Sequence, residues 1–465
     1  MLCLQKGDQS IANRVDMPLS DNRTESGSNS SKLRHLCLCD KSAAGRKSRR
    51  LYIWRQDREI QRGTGLRNPR QSGDSDRSGS RIAGGTWARD PDMIYLDSAA
   101  TSLYKPESVQ SAILRAMHEM GSPGRGAHEA SMRAADCCYS CREAIATLFN
   151  VPEPEQVVFT FNATHSLNIA IHSLVRPGTR VLISGYEHNS VTRPLHALGA
   201  EIRVIQTPLF RPDIFLAKAG KLIEWADVAV CTHVSNVFGY ILPIREFTGL
   251  CAAHGVPLVI DASQSAGSIP LDFSSLGAEF IAMPGHKGLM GPQGTGVLLC
   301  KNDAFPLLYG GSGSTSRLQT MPEFLPDRLE AGTHNVCGIA GLLAGVRYIL
   351  ETGCSAIYKR EHALMERFAS YLEYDEYDKI FHSPVPGLQA AVLSLVPKRF
   401  DVEAFSDALN ENGVAVRAGL HCAPTAHETA GTISAGTVRF SFSPFNSEQQ
   451  IDLAADICRK ILKNP

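Results

Sequence analysis

Short apolar, β-branched runs recur along the chain from Met93 onward: VVFTF (157–161), RVLIS (180–184), EIRVI (201–205), DVAVCTHV (227–234), PLVID (257–261), EFIAM (279–283) and GVLLC (296–300). Stretches with helical texture lie between most of them, such as HSLNIAIHSLV (165–175) and PIREFTGLCAAHG (243–255). Unalternated apolar runs suit strands buried on both faces, and helices between them supply the crossovers that parallel strands need. The pattern predicts an α/β fold around a mainly parallel sheet covered on both sides. Ligands bind such sheets beyond the carboxyl ends of the strands, so candidate chemistry is sought just after each run.

After Gly341 the texture changes. A long helical pattern (AGVRYILETG, then SAIYKREHALMERFASYLEY) precedes a strand-like LQAAVLSLV (388–396), a helix near 401–412, VAVR (414–417), TVRFSFS (437–443) and a terminal helix. This predicts a second, smaller α/β domain, with the large domain at 91–345 and the small one at 346–465. Residues 1–90 read differently, with blocks such as GRKSRR (45–50) and RNPRQSGDSDRSGSR (67–81). Such a stretch buries too little apolar surface to offset its ordering entropy, so a disordered basic extension is expected. Its Arg and Ser content would suit an organellar import sequence, but its 10 acidic residues count against one. The expected location is cytoplasmic, with import through this extension left open.

Composition narrows the function classes. At 465 residues the chain exceeds one ordinary core. No apolar run reaches the roughly 18 residues a membrane-spanning helix needs, so no membrane role is expected. Equal numbers of basic and acidic residues, 47 each, argue against a nucleic-acid partner. The basic excess of residues 1–90, 18 Lys and Arg, lacks interleaved aromatics. The thirteen cysteines show no disulfide-like spacing, which favours a reducing compartment. Cys137, Cys138 and Cys141 cluster, but no second CxxC or His pair lies at zinc spacing. Helix packing is their expected role, and no metal site is expected.

Two strand ends carry candidate chemistry. PLVID ends in Asp261, followed by Ala262, Ser263 and Gln264. The next strand, EFIAM, leads into Pro284-Gly285-His286-Lys287-Gly288. Pyridoxal phosphate needs an amine for its aldehyde and an acid to keep its ring nitrogen protonated, which makes the ring an electron sink. A strand-end Asp alone is usually a cap, and a lone Lys in a Gly-rich loop is usually solvated. Their joint placement before the Gly-rich tail 288–296 favours the functional reading.

These segments, DASQS (261–265) and PGHKGLMGPQGTG (284–296), together with YLDSAATS (95–102), resemble signatures of class V aminotransferase-fold enzymes, and specifically of the cysteine desulfurases. The likeness runs from about Met93 to the C-terminus. It implies fold-type I of the pyridoxal-phosphate enzymes, with a large cofactor domain, a smaller C-terminal domain and a homodimer that shares its active sites. By this resemblance Lys287 carries the cofactor as a Schiff base, Asp261 pairs with the ring nitrogen and Gln264 bonds the ring hydroxyl. His188, in YEHNSV, stacks on the ring and moves protons. Thr164, in FNATHSLN, lies where a helix N-terminus favours phosphate, and His286 also contacts phosphate. Asn236, in SNVFG, lies near ring and substrate. Arg439 holds the substrate carboxylate, for which its planar fork is suited. Thr333, in RLEAGTHN, reaches the phosphate of the partner subunit.

VRAGLHCAPTAHET (416–429) resembles the RxGxHCA segment of group II, Suf-like desulfurases, with Arg417 and Cys422 at matching positions. In that chemistry a second nucleophile, here Cys422, takes sulfur from L-cysteine as a persulfide and leaves L-alanine. The thiol must be accessible and partly ionised, with His421 or Arg417 to assist. An isolated cysteine is more often buried and structural. The resemblance also implies a small sulfur-acceptor protein and a place in iron–sulfur cluster assembly. Three residues depart from the family pattern: Pro284 before the GHK, Ala163 in the phosphate turn, and Leu420 two residues before the cysteine. Within the fold, a selenocysteine lyase acting on selenocysteine or a class V aminotransferase stays open, and outside it a catalytically silent sulfur-relay or scaffold protein.

Overall fold

The computed structural model describes residues 93–463 apart from 125, 303, 374 and 375. The expectation of disorder for residues 1–90 lies outside the described residues. The chain runs β1 (Ile94–Tyr95), α1 (Glu107–Glu119), α2 (Glu129–Phe149), β2 (Val157–Thr160), α3 (Ala163–Leu174), β3 (Arg180–Ser184), α4 (Asn189–Ala197), β4 (Glu201–Ile205) and α5 (Pro212–Leu222). It continues through β5 (Val228–Thr232), α6 (Ile244–Ala253), β6 (Leu258–Asp261), α7 (Phe273–Leu276), β7 (Phe280–Pro284) and β8 (Gly296–Cys300). Then come α8 (Val336–Thr352), α9 (Cys354–Ser370), β9 (Tyr377–Phe381), β10 (Val392–Pro397), α10 (Val402–Glu411), β11 (Val414–Ala415), β12 (Arg417–Gly419), α11 (Pro424–Ala430), β13 (Thr437–Ser441) and α12 (Glu448–Lys463).

The seven apolar runs of the first half form one sheet in the order β2-β8-β7-β6-β5-β3-β4. Only β8 opposes the others: it pairs antiparallel with β2 and β7, and the remaining pairs are parallel. Alternate side chains of every strand but β4 enter two different apolar clusters, one on each face, whereas edge strand β4 exposes Glu201 and Arg203. Val158 and Val230 belong to one cluster, Val157 and Cys231 to the other. That double burial is why the other runs carry no polar alternation. The register sets Thr232 opposite Asp261 and Asp261 opposite Ala282, which brings three carboxyl ends to one edge.

The second sheet, β12-β13-β10-β9, is antiparallel and has its own core, with α9, α10 and α12 supplying Phe368, Phe405 and Ile451. Two strands of this part depart from the sequence pattern. The run VAVR divides: β11 pairs in parallel with β1, whereas β12 pairs with β13. The start of LQAAVLSLV does not join the sheet, because Leu388 and Ala390 bond the backbone of Ile241 and Gly239. Ile94 and Leu96 pack in the core of this second sheet, so the first described segment is anchored to the chain's C-terminal part.

Cys137, Cys138 and Cys141 are buried in α2 among apolar neighbours, and burial pushes the Cys138 thiol up to about 12. They act as small hydrophobes here. Among the described residues no single helix is long and apolar enough to cross a membrane.

Candidate active site

The lysine loop is held by backbone contacts that leave no room for side chains. Gly285 N–H donates to Thr295 O and Gly291 N–H to Gly285 O, both at 2.8 Å, folding residues 285–295 back on themselves. At Gly288 an added Cβ would sit 2.2 Å from Ala266 O, and at Gly267 (φ +92°) it would sit 2.2 Å from Gly288 O. The loops after β6 and β7 thus touch backbone to backbone, which fixes Lys287 relative to Asp261. Gly288→Ala is expected to destabilise the protein by about 2 kcal/mol through overpacking, measured by thermal or urea unfolding.

Seven of the predicted residues, Thr164, His188, Asn236, Asp261, Gln264, His286 and Lys287, line one cavity of about 220 Å³. Lys287 is half-buried, and among the described residues its Nζ has no hydrogen-bond or ion-pair partner. Burial pushes its amine down to about 8; Asp261 opposes the shift and Arg439 adds to it. Asp261, 3% exposed, accepts through Oδ1 from both the N–H (2.9 Å) and the hydroxyl of Ser263, so Oδ2 faces no protein donor. Gln264 Nε2 donates to Ala99 O at 3.0 Å, which leaves its carbonyl oxygen to the cavity.

His188 caps α4, its Nδ1 accepting the Ser190 N–H at 3.0 Å. A neutral imidazole so bonded carries its proton on Nε2. Burial lowers its pKa, with Lys287 reinforcing and Asp261 opposing. Ser190 Oγ also lies 2.8 Å from Thr164 Oγ1 in the first turn of α3. Asn162 caps α3 and takes the His165 N–H, leaving earlier amides of the turn for an anion. His286 pairs through Nδ1 with Thr101 Oγ1 at 3.0 Å; burial first, then Lys287 and Lys105, push its pKa down to about 4. It therefore meets an anion as a neutral donor.

Arg439, 2% exposed in β13, does not itself line this cavity but contacts Asn236, which does. Its Nη1 donates to Asn236 O at 3.0 Å and its Nη2 to Asp97 Oδ1 at 2.8 Å, while Nε has no partner. Asp97 also receives Arg417 at 2.8 and 3.1 Å through Oδ2, so one carboxylate orients both arginines. The sequence reading gave Asp97 no role of its own. The available signal was an acid at a strand end within YLDS, but its partners stand more than 300 positions away.

Cys422 is exposed in the turn between β12 and α11. Both His421 (φ +48°) and Cys422 (φ +56°) adopt left-handed backbone. Such strain in non-glycine residues costs of order 1 kcal/mol or more each and persists only where surroundings enforce it. Here Asn236 Nδ2 donates to His421 O at 2.8 Å and Asn189 N–H to Cys422 O at 2.7 Å. The turn is thereby hung on Asn236 of the cavity wall and on Asn189, which follows His188. The expectation that His421 assists the thiol needs correction. Its ring is buried against Thr437, and burial holds its pKa well below the ordinary histidine range, so it carries no positive charge. Arg417 is the cation within electrostatic reach of Cys422.

Thr333 is not brought to this cavity. It is exposed and lines a separate hollow with Phe161, Gly294, Leu308 and His334. Among the described residues no group of three or more His, Cys, Asp or Glu is placed to hold a metal ion.

The Aminotransferase class-V family model matches residues 94–453. A probable cysteine desulfurase of Pyrococcus abyssi is 31% identical over 390 residues, 80% of this chain and 95% of that protein. One from Methanothermobacter thermautotrophicus is 30% identical, with 80% and 95% covered. Among solved structures, the apo cysteine desulfurase of Thermococcus onnurineus is 30% identical, with a TM-score of 0.74 and coverage of 80% and 95%. The S-sulfonic acid form of a cysteine desulfurase from Escherichia coli is 25% identical, with a TM-score of 0.70 and the same coverage.

Proposed function

We infer that this chain, which belongs to the class-V aminotransferase family and within it to the cysteine desulfurases, moves sulfur from L-cysteine to its own Cys422, using pyridoxal phosphate attached to Lys287. The observation that carries this reading is a half-buried, partnerless lysine sharing one cavity with a half-satisfied strand-end aspartate, beside an exposed cysteine hung on the cavity wall through Asn236.

The donor set fits the cofactor. The first turn of α3 with Thr164 and neutral His286 would take the phosphate, Asp261 Oδ2 the ring nitrogen, and the Gln264 carbonyl or its amide the ring oxygen. His188, with its proton on Nε2, would lie against the ring. Pyridoxal phosphate bound there would supply an electron sink for the substrate Cα–H and C–S bonds. Lys287, held near neutrality by burial, takes and returns the proton at Cα. The three donors that Arg439 still has free, Nε among them, receive the substrate carboxylate.

Cys422 supplies a thiolate that attacks the substrate sulfur. The S–S bond forms as the C–S bond breaks, its electron pair stays on carbon, and a proton completes the methyl group of alanine. Cysteine and enzyme thiol thus become alanine and enzyme persulfide, with atoms and electrons in balance.

Asp97→Asn removes the carboxylate that Arg439 bonds in the protein interior. It is expected to cost on the order of 3 kcal/mol, as for breaking one side of a buried ion pair, and to raise KM for cysteine more than it lowers kcat. Unfolding curves and steady-state kinetics check both. The hollow that holds Thr333 also exposes Phe161 and Leu308, 53% and 42% accessible. These support a second copy of the chain at this face, tested by sedimentation. The reading as a whole is tested by incubating the purified, cofactor-loaded protein with L-cysteine. Alanine and sulfane sulfur in equal amounts support it; pyruvate or a keto acid in place of alanine would show a different enzyme of the same family.

A further inference from the structure

Lys287 also borders a second hollow, which shares Ser263 and Gln264 with the cavity described above. It holds about 60 Å³ and lies where the lysine loop, the segment after β1, the segment after β13 and α9 come together. Its walls are mixed: Ser98, Ser102, Ser268 and Ser443 stand among apolar residues such as Met290, Val392 and Phe442, and the Ser98 hydroxyl is buried with no partner. At its edge stands Glu361 of α9, half-buried, with no hydrogen bond or ion pair among the described residues. The other titratable groups lining the hollow are Lys287 and Tyr358, and Tyr358 already donates to Gln389 O at 3.0 Å. A hollow of this size with orphaned polar groups is suited to ordered water.

A carboxyl left alone in such a place is costly to ionise. Burial is the cause that lifts Glu361, to about 8. Lys287 is brought down to about the same value, also by burial. Two groups that line one hollow, each with its charged form disfavoured by burial, can exchange a proton through water held between them. The lysine needs such an outlet, because its amine must lose a proton before it can attack an aldehyde, and the first cavity is then filled by the incoming cofactor.

We propose that the serine-lined hollow beside Lys287 is a proton path, and that Glu361 is the group that exchanges protons between Lys287 and solvent. Glu361 receives the proton that the lysine ammonium sheds and passes it out through the partly open face of the hollow. It returns one when the lysine is released. This rests on Lys287 being the attachment site for pyridoxal phosphate, and it adds a residue remote from substrate that controls the protonation of that lysine.

The test uses cofactor-free full chain. An infrared difference spectrum of wild type against Glu361→Gln, taken across pH 6 to 9 (roughly the span about both pKa values), is expected to show a protonated-carboxyl band that fades as pH rises. Stopped-flow mixing with pyridoxal phosphate is expected to show attachment slowed about tenfold in Glu361→Gln, with a larger solvent isotope effect, and restored in Glu361→Asp. Final occupancy and circular dichroism should match wild type. An ionised Glu361 throughout that range, or equal attachment rates in wild type and Glu361→Gln, would overturn the proposal. Failure of wild type itself to attach pyridoxal phosphate would instead overturn the reading of Lys287, so the two failures are distinguishable.

Discussion

Cys422→Ala abolishes formation of alanine and persulfide from L-cysteine, with an expected loss of at least about 10³-fold, as when a nucleophile is removed from an otherwise intact site. The reason is geometric as well as chemical. The thiol is exposed at the end of a strained turn, and two bonds, from Asn236 of the cavity wall and from Asn189, hold that turn in place. The other nine cysteines among the described residues are buried or partly buried, several with thiols pushed up by burial, so none replaces it. Cofactor binding should be unaffected, because the cavity walls do not include the Cys422 side chain. The same variant discriminates chemistries within the fold. Selenium leaves without a nucleophilic thiol, so retained action on selenocysteine together with lost action on cysteine fits this account. Undiminished desulfuration of cysteine would contradict it.

Lys287→Ala prevents covalent attachment of pyridoxal phosphate and reduces activity by a comparable or larger factor. The purified variant should lack the visible absorbance of the loaded protein and release all cofactor on gel filtration. The wild-type amine also makes a pH prediction. Only the neutral amine attacks the aldehyde, and burial brings the lysine from 10.5 to about 8. Attachment should therefore slow about tenfold per pH unit below about 8 and level off above it. An unperturbed lysine would keep accelerating to pH 10.5. A plateau near 8 in stopped-flow absorbance supports the half-buried, partnerless site.

Much of this was legible in the sequence wherever a local rule sufficed. Doubly buried strands need uninterrupted apolar residues, so β3 and β8 coincide with their runs. Asp261 and Lys287 follow adjacent parallel strands, whose shared edge is a property of the topology rather than of any distant pairing. What was not legible depends on contacts distant in sequence. Asp97 bonds Arg417 and Arg439, which follow it by 320 and 342 positions. The split of VAVR into β11 and β12 arises because β1 claims one half and β13 the other. The orientation of His421 was not legible, since proximity to Cys422 in sequence says nothing about a ring that turns inward to Thr437. Glu361 looks like one more acid on a helix. Only the meeting of α9 with the lysine loop gives it a proton partner.

The central claim is that Cys422 itself takes the sulfur atom. The most direct test is mass spectrometry of the Cys422 peptide after the loaded enzyme meets L-cysteine without reductant and the thiols are blocked. The account predicts that this peptide alone gains one sulfur atom, in step with alanine formed in the first turnover. Alanine appearing with an unmodified Cys422 peptide would contradict it.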